Sequence, residues 1–247
     1  MINLAICGIN GSMGKHVYNS AIKNGFFVSC GIDKVLGSSV ECPVYRSFDE
    51  IKELVEVIVD FSSPELLDQM LSFAKANKTP LVIATTGYTE EQEQKIKAYS
   101  KHIPIFKSAN TSLGVNLTAK LCKLCIQVLN GFDIEIIDKH HKNKNDSPSG
   151  TSLMLLNELQ STLSEEKNPV FGRKGKGKRK QSEIGIHSIR GGSTVGIHEI
   201  NFFGENESIT ITHTAHSKEL FASGALKAVD FILTKTNGLY NMNDILK

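Results

Sequence analysis

The 247-residue sequence contains no apolar run near the length of about 18 residues that a membrane-spanning helix needs. Its first residues, MINLAICGINGSMG, lack the basic start and the long apolar stretch of a signal peptide. Neither sign of charge is in excess, because 28 basic and 26 acidic residues leave a formal net charge of +2. We therefore expect a soluble, cytoplasmic protein that needs no membrane or nucleic acid as a partner.

Cysteine is scarce and odd in number, so a disulfide framework is not expected in a chain of this length. The cysteines are Cys7, Cys30, Cys42, Cys122 and Cys125. The last two form a CxxC inside the apolar-periodic segment LTAKLCKLCIQVL, whereas a redox pair normally stands at a helix start. No two further ligands stand at the spacing of a zinc site. We predict two core side chains on one helix face and no metal site.

Up to about residue 110, apolar runs alternate with helical patterns. The apolar runs are INLAICG, FFVSCGID, VIVDFS, LVIATT and IPIFKS. Segments 12–25, 64–77 and 89–101 between them have the period of amphipathic helices. Unbroken apolar strands that alternate with helices indicate a parallel sheet covered on both faces. The pattern predicts an α/β fold with a Rossmann-like, doubly wound parallel sheet.

Beyond about residue 111 the pattern changes. A helix at about 113–129 precedes the strand-like DIEIIDKHH, and a second helix runs to about 163. Apolar and polar residues then alternate in three segments, 184–192, 194–204 and 207–215. This alternation predicts a smaller α+β domain with an open mixed or antiparallel sheet. The last helical segment, 218–235, is expected to pack back on the first domain, which gives one domain of residues 1–111 and 218–247 and another of residues 112–217.

The segment GRKGKGKRKQ, residues 172–181, is the one basic run in the sequence. Its charge suits a phosphate or a nucleic acid, but no aromatic side chains interleave with it to stack on bases. A solvated loop between a helix and a strand is the simpler interpretation. A loop that covers a substrate or cofactor pocket is the remaining alternative.

The segment GINGSMG follows the first predicted strand and opens the first predicted helix. Its glycines, Gly8, Gly11 and Gly14, form a GxxGxxG pattern. Glycines at such a turn let the backbone approach a pyrophosphate, whose charge then lies at the helix N-terminus. We therefore predict a dinucleotide-binding loop, with a glycine-rich turn that binds nothing as the alternative.

The second predicted strand ends in Asp33, whose carboxylate can accept a hydrogen bond from a ribose 2′-hydroxyl. Lys34 follows directly, and its ammonium can pair with a 2′-phosphate. Both NADH and NADPH are therefore compatible with this strand end.

Mostly small and polar residues follow the other predicted strands. They are Phe61-Ser62-Ser63, Ala84-Thr85-Thr86-Gly87 and Ser108-Ala109-Asn110-Thr111. In this fold ligands bind beyond the carboxyl ends of the strands, where such groups suit hydrogen bonds to a nicotinamide or a ribose. Each group alone is also typical of an ordinary turn.

The segment KHHKNKNDSPSGTS, residues 139–152, places a helix start after a polar loop. Ser149, Gly150 and Thr151 supply hydroxyl and N–H groups at the predicted helix N-terminus, which suits a carboxylate. A helix cap formed by Asp146 or Ser149 is the plainer interpretation of these residues.

The same loop contains two imidazoles and an ammonium, which the capping interpretation does not explain. His140 and His141 titrate near neutral pH and suit proton transfer. They point to opposite faces if the strand extends through them. Lys144 adds a positive charge and a proton donor. These residue types predict a site that binds a carboxylate and moves a proton.

The segment EIIDKHHKNKNDSPSGTS, residues 135–152, closely resembles the signature of the 4-hydroxy-tetrahydrodipicolinate reductase family, also called dihydrodipicolinate reductase. Two positions depart from the family pattern, because Asp138 stands for a glutamate and Ser152 for an alanine. The similarity extends to GINGSMG, DFSSPE, SANTSLGVN, RGGSTVGIHEI and the closing helix, and so to nearly the whole chain. Thr111 stands where a phenylalanine is expected, which weakens that cofactor contact.

The resemblance implies an enzyme that transfers hydride from NADH or NADPH to a cyclic, unsaturated imine dicarboxylate. The product is tetrahydrodipicolinate, on the route to diaminopimelate and lysine. Residues 1–111 and 218–247 then form the dinucleotide-binding domain, and residues 112–217 bind substrate and build a homotetramer.

The resemblance also assigns roles to individual residues. His140 is the proton donor or acceptor, and Lys144 is the proton donor. The substrate-binding residues are His141, Ser149, Gly150 and Thr151. The cofactor-binding residues are Gly8, Ile9, Asn10, Gly11, Ser12, Met13, Gly14, Asp33, Lys34, Phe61, Ala84, Thr85, Thr86, Ser108, Ala109, Asn110 and Thr111.

Two other functions remain as alternatives. A dehydrogenase that uses NAD(P) and another amino or imino acid predicts turnover of a different substrate. A catalytically silent dinucleotide sensor predicts cofactor binding without turnover. The two-histidine loop argues against the first, and the presence of both His140 and Lys144 argues against the second.

Overall fold

The computed structural model describes residues 1–37 and 40–247, and these residues form two compact units. The first unit comprises Met1–Leu113 and Lys218–Lys247, and the second comprises Gly114–Ser217. Within the described residues, no helix combines the length and the apolar character that crossing a bilayer requires.

Strands and helices follow one another along the whole chain. The strands are β1 (Asn3–Cys7), β2 (Phe27–Ile32), β3 (Val44–Tyr45), β4 (Val57–Asp60), β5 (Leu81–Ile83), β6 (Pro104–Lys107), β7 (Asp133–His140), β8 (Asn168–Phe171), β9 (Glu183–Arg190), β10 (Gly196–Phe203), β11 (Ser208–Ala215) and β12 (Gly238–Tyr240). The helices are α1 (Ser12–Lys23), α2 (Leu67–Asn77), α3 (Glu90–Tyr99), α4 (Leu113–Val128), α5 (Gly150–Gln160), α6 (Glu219–Ile232) and α7 (Met242–Ile245). Short 3₁₀ turns lie at Phe48–Glu50 and Pro64–Leu66.

The first unit is built on a seven-stranded sheet in the order β12-β6-β5-β4-β1-β2-β3, with neighbouring strands parallel. Leu4 and Ile6 of β1 pack with α1 and α6 on one face, and Ala5 and Cys7 pack with α2 and α3 on the other. Because both faces are covered, the strands read as unbroken apolar runs. The predicted Rossmann-like fold is therefore confirmed, and the strand order places ligands beyond the carboxyl ends of β1 and β4.

The second unit contains a mixed five-stranded sheet in the order β11-β10-β7-β9-β8. Its central strand β7 pairs antiparallel with β10 and parallel with β9. Alternate residues of β7 are buried, and Ile134 and Ile136 pack in a core with residues of α4 and α5. The same buried register continues into Asp138 and His140. Polar side chains therefore occupy the inner face where β7 ends.

Three short strands, β3, β8 and β12, escaped the sequence analysis because two to four residues show no clear period. Residues 172–181 form an irregular loop, as predicted. The interpretation of this loop as merely solvated is wrong for Arg179, whose guanidinium pairs with Asp133 and Glu135 at the start of β7. The basic run is therefore anchored to the sheet.

The CxxC cysteines are core side chains, as predicted. Cys122 is buried and Cys125 is half-buried, and both pack in the core of the second unit. Burial raises the pKa of the Cys122 thiol to about 12, which makes the reactive thiolate scarce. No group of three His, Cys, Asp or Glu side chains is arranged for a metal ion within residues 1–37 and 40–247.

Candidate active site

The turn between β1 and α1 passes close to the backbone that follows β4. Gly8 has a φ of 72°, and a Cβ there would lie 2.6 Å from the carbonyl oxygen of Phe61. A Cβ on Gly14 would lie 2.0 Å from the carbonyl oxygen of Gly8. Gly11 caps the N-terminus of α1. The tight turn and the open helix start fit a pyrophosphate, so the residues present fit a dinucleotide.

Asp33 lies just beyond β2 and is fixed by the same turn. Its Oδ2 accepts a hydrogen bond from the backbone N–H of Asn10 at 3.0 Å, and its Oδ1 accepts one from that of Val35 at 3.0 Å. Lys34 is exposed, and its Nζ lies 2.9 Å from Oε2 of Glu65. Glu65, which was not among the residues predicted from sequence, places a negative charge beside the lysine expected to bind a 2′-phosphate.

The remaining predicted cofactor residues lie beyond neighbouring strands of the same sheet. Phe61 follows β4, Ala84 to Thr86 follow β5, and Ser108 to Thr111 follow β6. Asp60, at the end of β4, is a further residue of this edge that was not predicted from sequence. It is 1% exposed, and it accepts hydrogen bonds from the N–H of Ser62 at 3.0 Å and from the hydroxyl of Tyr88 at 3.2 Å. Asp60 therefore ties two of these strand ends together.

Two predicted cofactor residues have buried side chains that serve the fold. Thr111 is 1% exposed, and its hydroxyl donates to the carbonyl of Phe221 at 2.7 Å. Ile9 is 0% exposed and packs in the core with β1 and α6. Both side chains therefore contribute to packing within the first unit, and the predicted contact of each residue with a cofactor stays a prediction.

In the second unit, β7 ends in a cluster of buried imidazoles. His140 is 8% exposed, and its ring meets that of His198 edge to face with centroids 5.2 Å apart. A Cβ on Gly196 would lie 3.0 Å from Nε2 of His140, so a glycine leaves room for the ring. His141, directly after the strand, is half-buried.

Buried polar atoms without a hydrogen-bond partner concentrate around this cluster. Within the part of the chain that is described, they are Nδ1 of His140, His141, His198 and His213, Nε of Arg190, and Oγ1 of Thr85 in the first unit. Buried polar groups are nearly always satisfied, so such a concentration requires an explanation. A polar ligand that supplies the missing partners is one explanation.

The loop after β7 brings Lys144 to the start of α5. The backbone N–H of Lys144 donates to the carbonyl of His141 at 3.2 Å, and its Nζ lies 2.7 Å from Oδ1 of Asp146. The hydrogen bond from Lys144 lowers the pKa of the Asp146 carboxyl. Gly150 is exposed and Thr151 is half-buried at the helix start. The carboxylate of Asp146, which also accepts a hydrogen bond from the backbone N–H of Gly150, therefore lies between this cation and the helix N-terminus, where negative charge is favoured.

Ser149 is the N-terminal cap of α5, one of the two interpretations that the sequence allowed. It is 2% exposed, and its Oγ accepts the backbone N–H of Ser152 at 3.1 Å as the cap of α5. The same Oγ lies 3.0 Å from Nε2 of His198. The hydroxyl is thus used as the cap of α5, and the predicted contact of Ser149 with substrate stays a prediction.

Asp138 and Ser152, the two residues that depart from the family pattern, contact each other. The hydroxyl of Ser152 donates to Oδ2 of Asp138 at 3.0 Å. Asp138 also pairs with Arg190. Neither Arg190 nor His198 was among the residues predicted from sequence. The one sequence signal for His198 is a polar side chain at a buried position of β10. Arg190, at the half-buried end of β9, has no such signal.

His198 makes the stability of the protein sensitive to acid. Burial lowers its pKa to about 4, against about 6.5 in the unfolded chain. Between these values the unfolded state binds more protons, so the stabilisation present above pH 6.5 is lost as the pH falls. We expect a loss on the order of 3 kcal/mol between pH 7 and pH 4. Urea unfolding of His198→Asn should show a smaller acid loss than wild type.

His216 provides the matched control for this measurement, because it is an exposed histidine of the same unit. His216→Asn should lose stability in acid as wild type does. Equal acid losses in wild type and His198→Asn would contradict the role of His198.

Both halves of the chain match one enzyme family. Residues 2–111 match the family described as dihydrodipicolinate reductase, N-terminus, and residues 114–246 match dihydrodipicolinate reductase, C-terminus. The 4-hydroxy-tetrahydrodipicolinate reductase of Caldanaerobacter subterraneus subsp. tengcongensis is 47% identical, over 100% of this chain and 99% of the relative. The enzyme of that name from Clostridium novyi is 44% identical, over 100% and 99%.

A solved structure supports the fold. The dipicolinate-bound dihydrodipicolinate reductase from Paenisporosarcina sp. TG-14 superposes with a TM-score of 0.82, covering 98% of this chain and 99% of the other. The two sequences are 24% identical, so this likeness shows the fold alone.

Proposed function

This chain belongs to the dihydrodipicolinate reductase family, and we propose that the end of β7, the loop after it and the start of α5 form its active site. The chain is an oxidoreductase that reduces 4-hydroxy-tetrahydrodipicolinate, after loss of water, to tetrahydrodipicolinate in diaminopimelate and lysine biosynthesis. It uses NADH or NADPH, which supplies the hydride.

The observation that carries the proposed site is the group of unpartnered imidazole nitrogens next to a cation. Nδ1 of His140 and of His141 are buried without a hydrogen-bond partner, and Lys144 follows in the same loop. A cyclic dicarboxylate offers several oxygen acceptors, which match the ammonium of Lys144 and any of these ring nitrogens that carries a proton. The N-terminus of α5 at Gly150 and Thr151 favours a carboxylate. His141, Lys144 and this helix start would therefore hold the substrate.

Reduction of a conjugated imine leaves an electron-rich enamine that must take up a proton. Lys144 bears a positive charge and three donor hydrogens, and we assign it the role of proton donor. Burial lowers the pKa of His140, which favours the neutral imidazole at pH 7. Neutral His140 can accept a proton and pass it on. Positioned proton transfer of this kind contributes about 10²- to 10⁴-fold to the rate.

The first unit would hold the cofactor at the carboxyl edge of its sheet. The glycine turn between β1 and α1 receives the pyrophosphate, and Asp33 faces the adenosine ribose. The ends of β4, β5 and β6 supply the groups for the nicotinamide half. The second unit then provides substrate binding and oligomerisation.

A homotetramer is the assembly we propose, and exposed apolar side chains of the second unit support it. Leu117, Leu121, Leu124 and Val128 recur at helical spacing on α4 and are 46%, 41%, 57% and 71% exposed. Isolated chains rarely expose such a stripe to water. Sedimentation equilibrium should give the mass of four chains. As a biosynthetic enzyme that uses a nicotinamide nucleotide, it would work in the cytoplasm.

A coupled assay tests the proposed function. Substrate is formed in situ from pyruvate and aspartate semialdehyde by a synthase, and oxidation of NADH or NADPH is followed by absorbance. Turnover that depends on the synthase supports the proposed reaction. Nucleotide binding without any turnover would instead favour a dehydrogenase of another substrate, or a silent sensor.

Glu65 is expected to set the balance between the two nucleotides. It pairs with Lys34, the residue after Asp33, and its negative charge beside that lysine disfavours a 2′-phosphate. Because exposed pairs are weak, we expect Glu65→Gln to raise the NADPH-to-NADH ratio of kcat/KM by about two- to fivefold. Glu91→Gln, on an exposed face of α3, is the control and should leave the ratio unchanged. A lower ratio in Glu65→Gln would contradict this role.

A further inference from the structure

A fully buried carboxylate, that of Asp138, ties β7 to the start of α5. Asp138 is 0% exposed, and its Oδ2 accepts hydrogen bonds from the N–H of Ser149 at 2.7 Å and the hydroxyl of Ser152 at 3.0 Å. Its Oδ1 accepts a hydrogen bond from Nη1 of Arg190. Burial alone would raise the pKa of this carboxyl, but the hydrogen bonds hold it well below its usual range. Asp138 is thus a charged, fully partnered anchor for the helix start.

Arg190 joins the same carboxylate to the loop that carries Lys144. It lies opposite His140 in the parallel register of β7 and β9. Its Nη1 holds Asp138, while its Nη2 donates to the backbone carbonyl of Asp146 at 2.8 Å. The side chain of Asp146 in turn pairs with Nζ of Lys144 at 2.7 Å. Because a guanidinium is a rigid planar fork, Arg190 fixes the loop relative to β7.

The ring of His140 lies among charged and titratable groups from several elements. Its Nδ1 is 3.5 Å from Oδ1 of Asp138, which is long for a hydrogen bond but close for a charge interaction. Arg190 of β9, His198 of β10 and Lys144 of the loop are its other such neighbours. Burial lowers the pKa of His140, Asp138 raises it, and Lys144 and Arg190 lower it. Asp138 is therefore the group that favours the protonated ring.

We propose that Asp138 and Arg190 are a positioning pair, which holds His140, the Lys144 loop and the start of α5 in one arrangement. The proposal rests on the roles assigned above to His140 and Lys144. Asp138 has no exposed surface, so it acts only through the groups that it holds. Asp138 lies on β7 and Arg190 on β9, and Arg190 also holds the loop through the carbonyl of Asp146. No single segment of the chain could supply this arrangement.

The first variant to test is Asp138→Asn, assayed in the full enzyme. It keeps one acceptor oxygen but removes the charge that faces Arg190 and His140. Misplacement of groups by about 1 Å costs on the order of 100-fold, so we expect kcat to fall by about 10- to 100-fold. In a plot of kcat against pH, activity falls on the acid side as His140 becomes protonated. This acid limb should move to lower pH by about one unit. A purely structural role would lower stability without moving this limb.

Two further variants keep the charges and test the geometry. Asp138→Glu combined with Ser152→Ala lengthens the carboxylate by one methylene and removes the hydroxyl that it would meet. This double variant should keep the wild-type pH limb and a kcat within about threefold. Arg190→Lys keeps the positive charge but loses the planar fork that holds two acceptors. It should lower kcat at least about tenfold with little movement of the limb.

Glu199→Gln is the matched control. Glu199 pairs with Lys139, the residue next to Asp138, and neither is assigned to the site. This variant should keep the wild-type kcat and pH profile.

Several outcomes would overturn the proposal. They are a wild-type kcat and pH limb in Asp138→Asn, a wild-type kcat in Arg190→Lys, and a folded double variant whose limb has shifted. If Asp138→Asn does not fold, the other two variants decide. Full turnover of His140→Gln would instead contradict the proposed active site. An inactive His140→Gln together with a wild-type kcat and pH profile in Asp138→Asn would contradict the positioning pair alone.

Discussion

Lys144→Ala is expected to lower kcat by about 10²- to 10⁴-fold while leaving the affinity for NADH and NADPH unchanged. Removal of the ammonium takes away the proposed proton donor and the charge that faces a substrate carboxylate. The KM for substrate should therefore rise as well. The nucleotide-binding residues we propose lie in the other unit, so cofactor binding provides an internal check of folding. Steady-state kinetics and nucleotide titration of the purified variant measure both effects.

Lys142→Ala is the matched control for Lys144→Ala. Lys142 belongs to the same loop and is exposed, and its substitution removes the same charge from the same segment. We expect its kcat to stay within about twofold of wild type. Wild-type turnover in Lys144→Ala, or an equal loss in both variants, would show that Lys144 is not the proton donor.

His140→Gln is expected to lower kcat by a similar factor, about 10²- to 10⁴-fold. Glutamine keeps a polar side chain at the end of β7 but does not titrate. The pH limb that reports the imidazole should therefore vanish. Because burial lowers the pKa of His140, this limb should lie below the usual value of about 6.5, with activity falling as the pH drops through it.

His102→Gln, an exposed substitution in the first unit, is the control for His140→Gln. It should retain both kcat and the pH limb of wild type. Persistence of the acid limb in His140→Gln would mean that another group titrates, and His198 would then be the next residue to test.

The features predicted correctly from sequence come from short, continuous segments. The apolar runs of β1, β4 and β5 identified the covered parallel sheet, because strands buried on both faces have no polar side. The GxxGxxG turn was recognisable since its geometry depends on neighbours within a few residues. The helix start at the end of segment 139–152 was predicted in the same way, whereas the roles given to the imidazoles and the ammonium of this segment stay predictions.

The sequence was least informative where burial decides what a side chain does. The hydroxyl of Thr111 bonds to Phe221, which is 110 positions away in the sequence. The hydroxyl of Ser149 is taken up by the cap of α5 and by His198, 49 positions away. Hydroxyls at strand ends and helix starts look alike in a sequence whether they face a ligand or a distant part of the protein.

The local pattern of residues was thus enough to assign the fold class and to locate the segments rich in ligand-binding chemistry. It was not enough to find Arg190, which reaches Asp138 across 52 positions of sequence through the pairing of β7 with β9. Periodicity and turn chemistry depend on neighbours along the chain. The partners of a buried charge depend on strand register, which forms only when the whole sheet assembles.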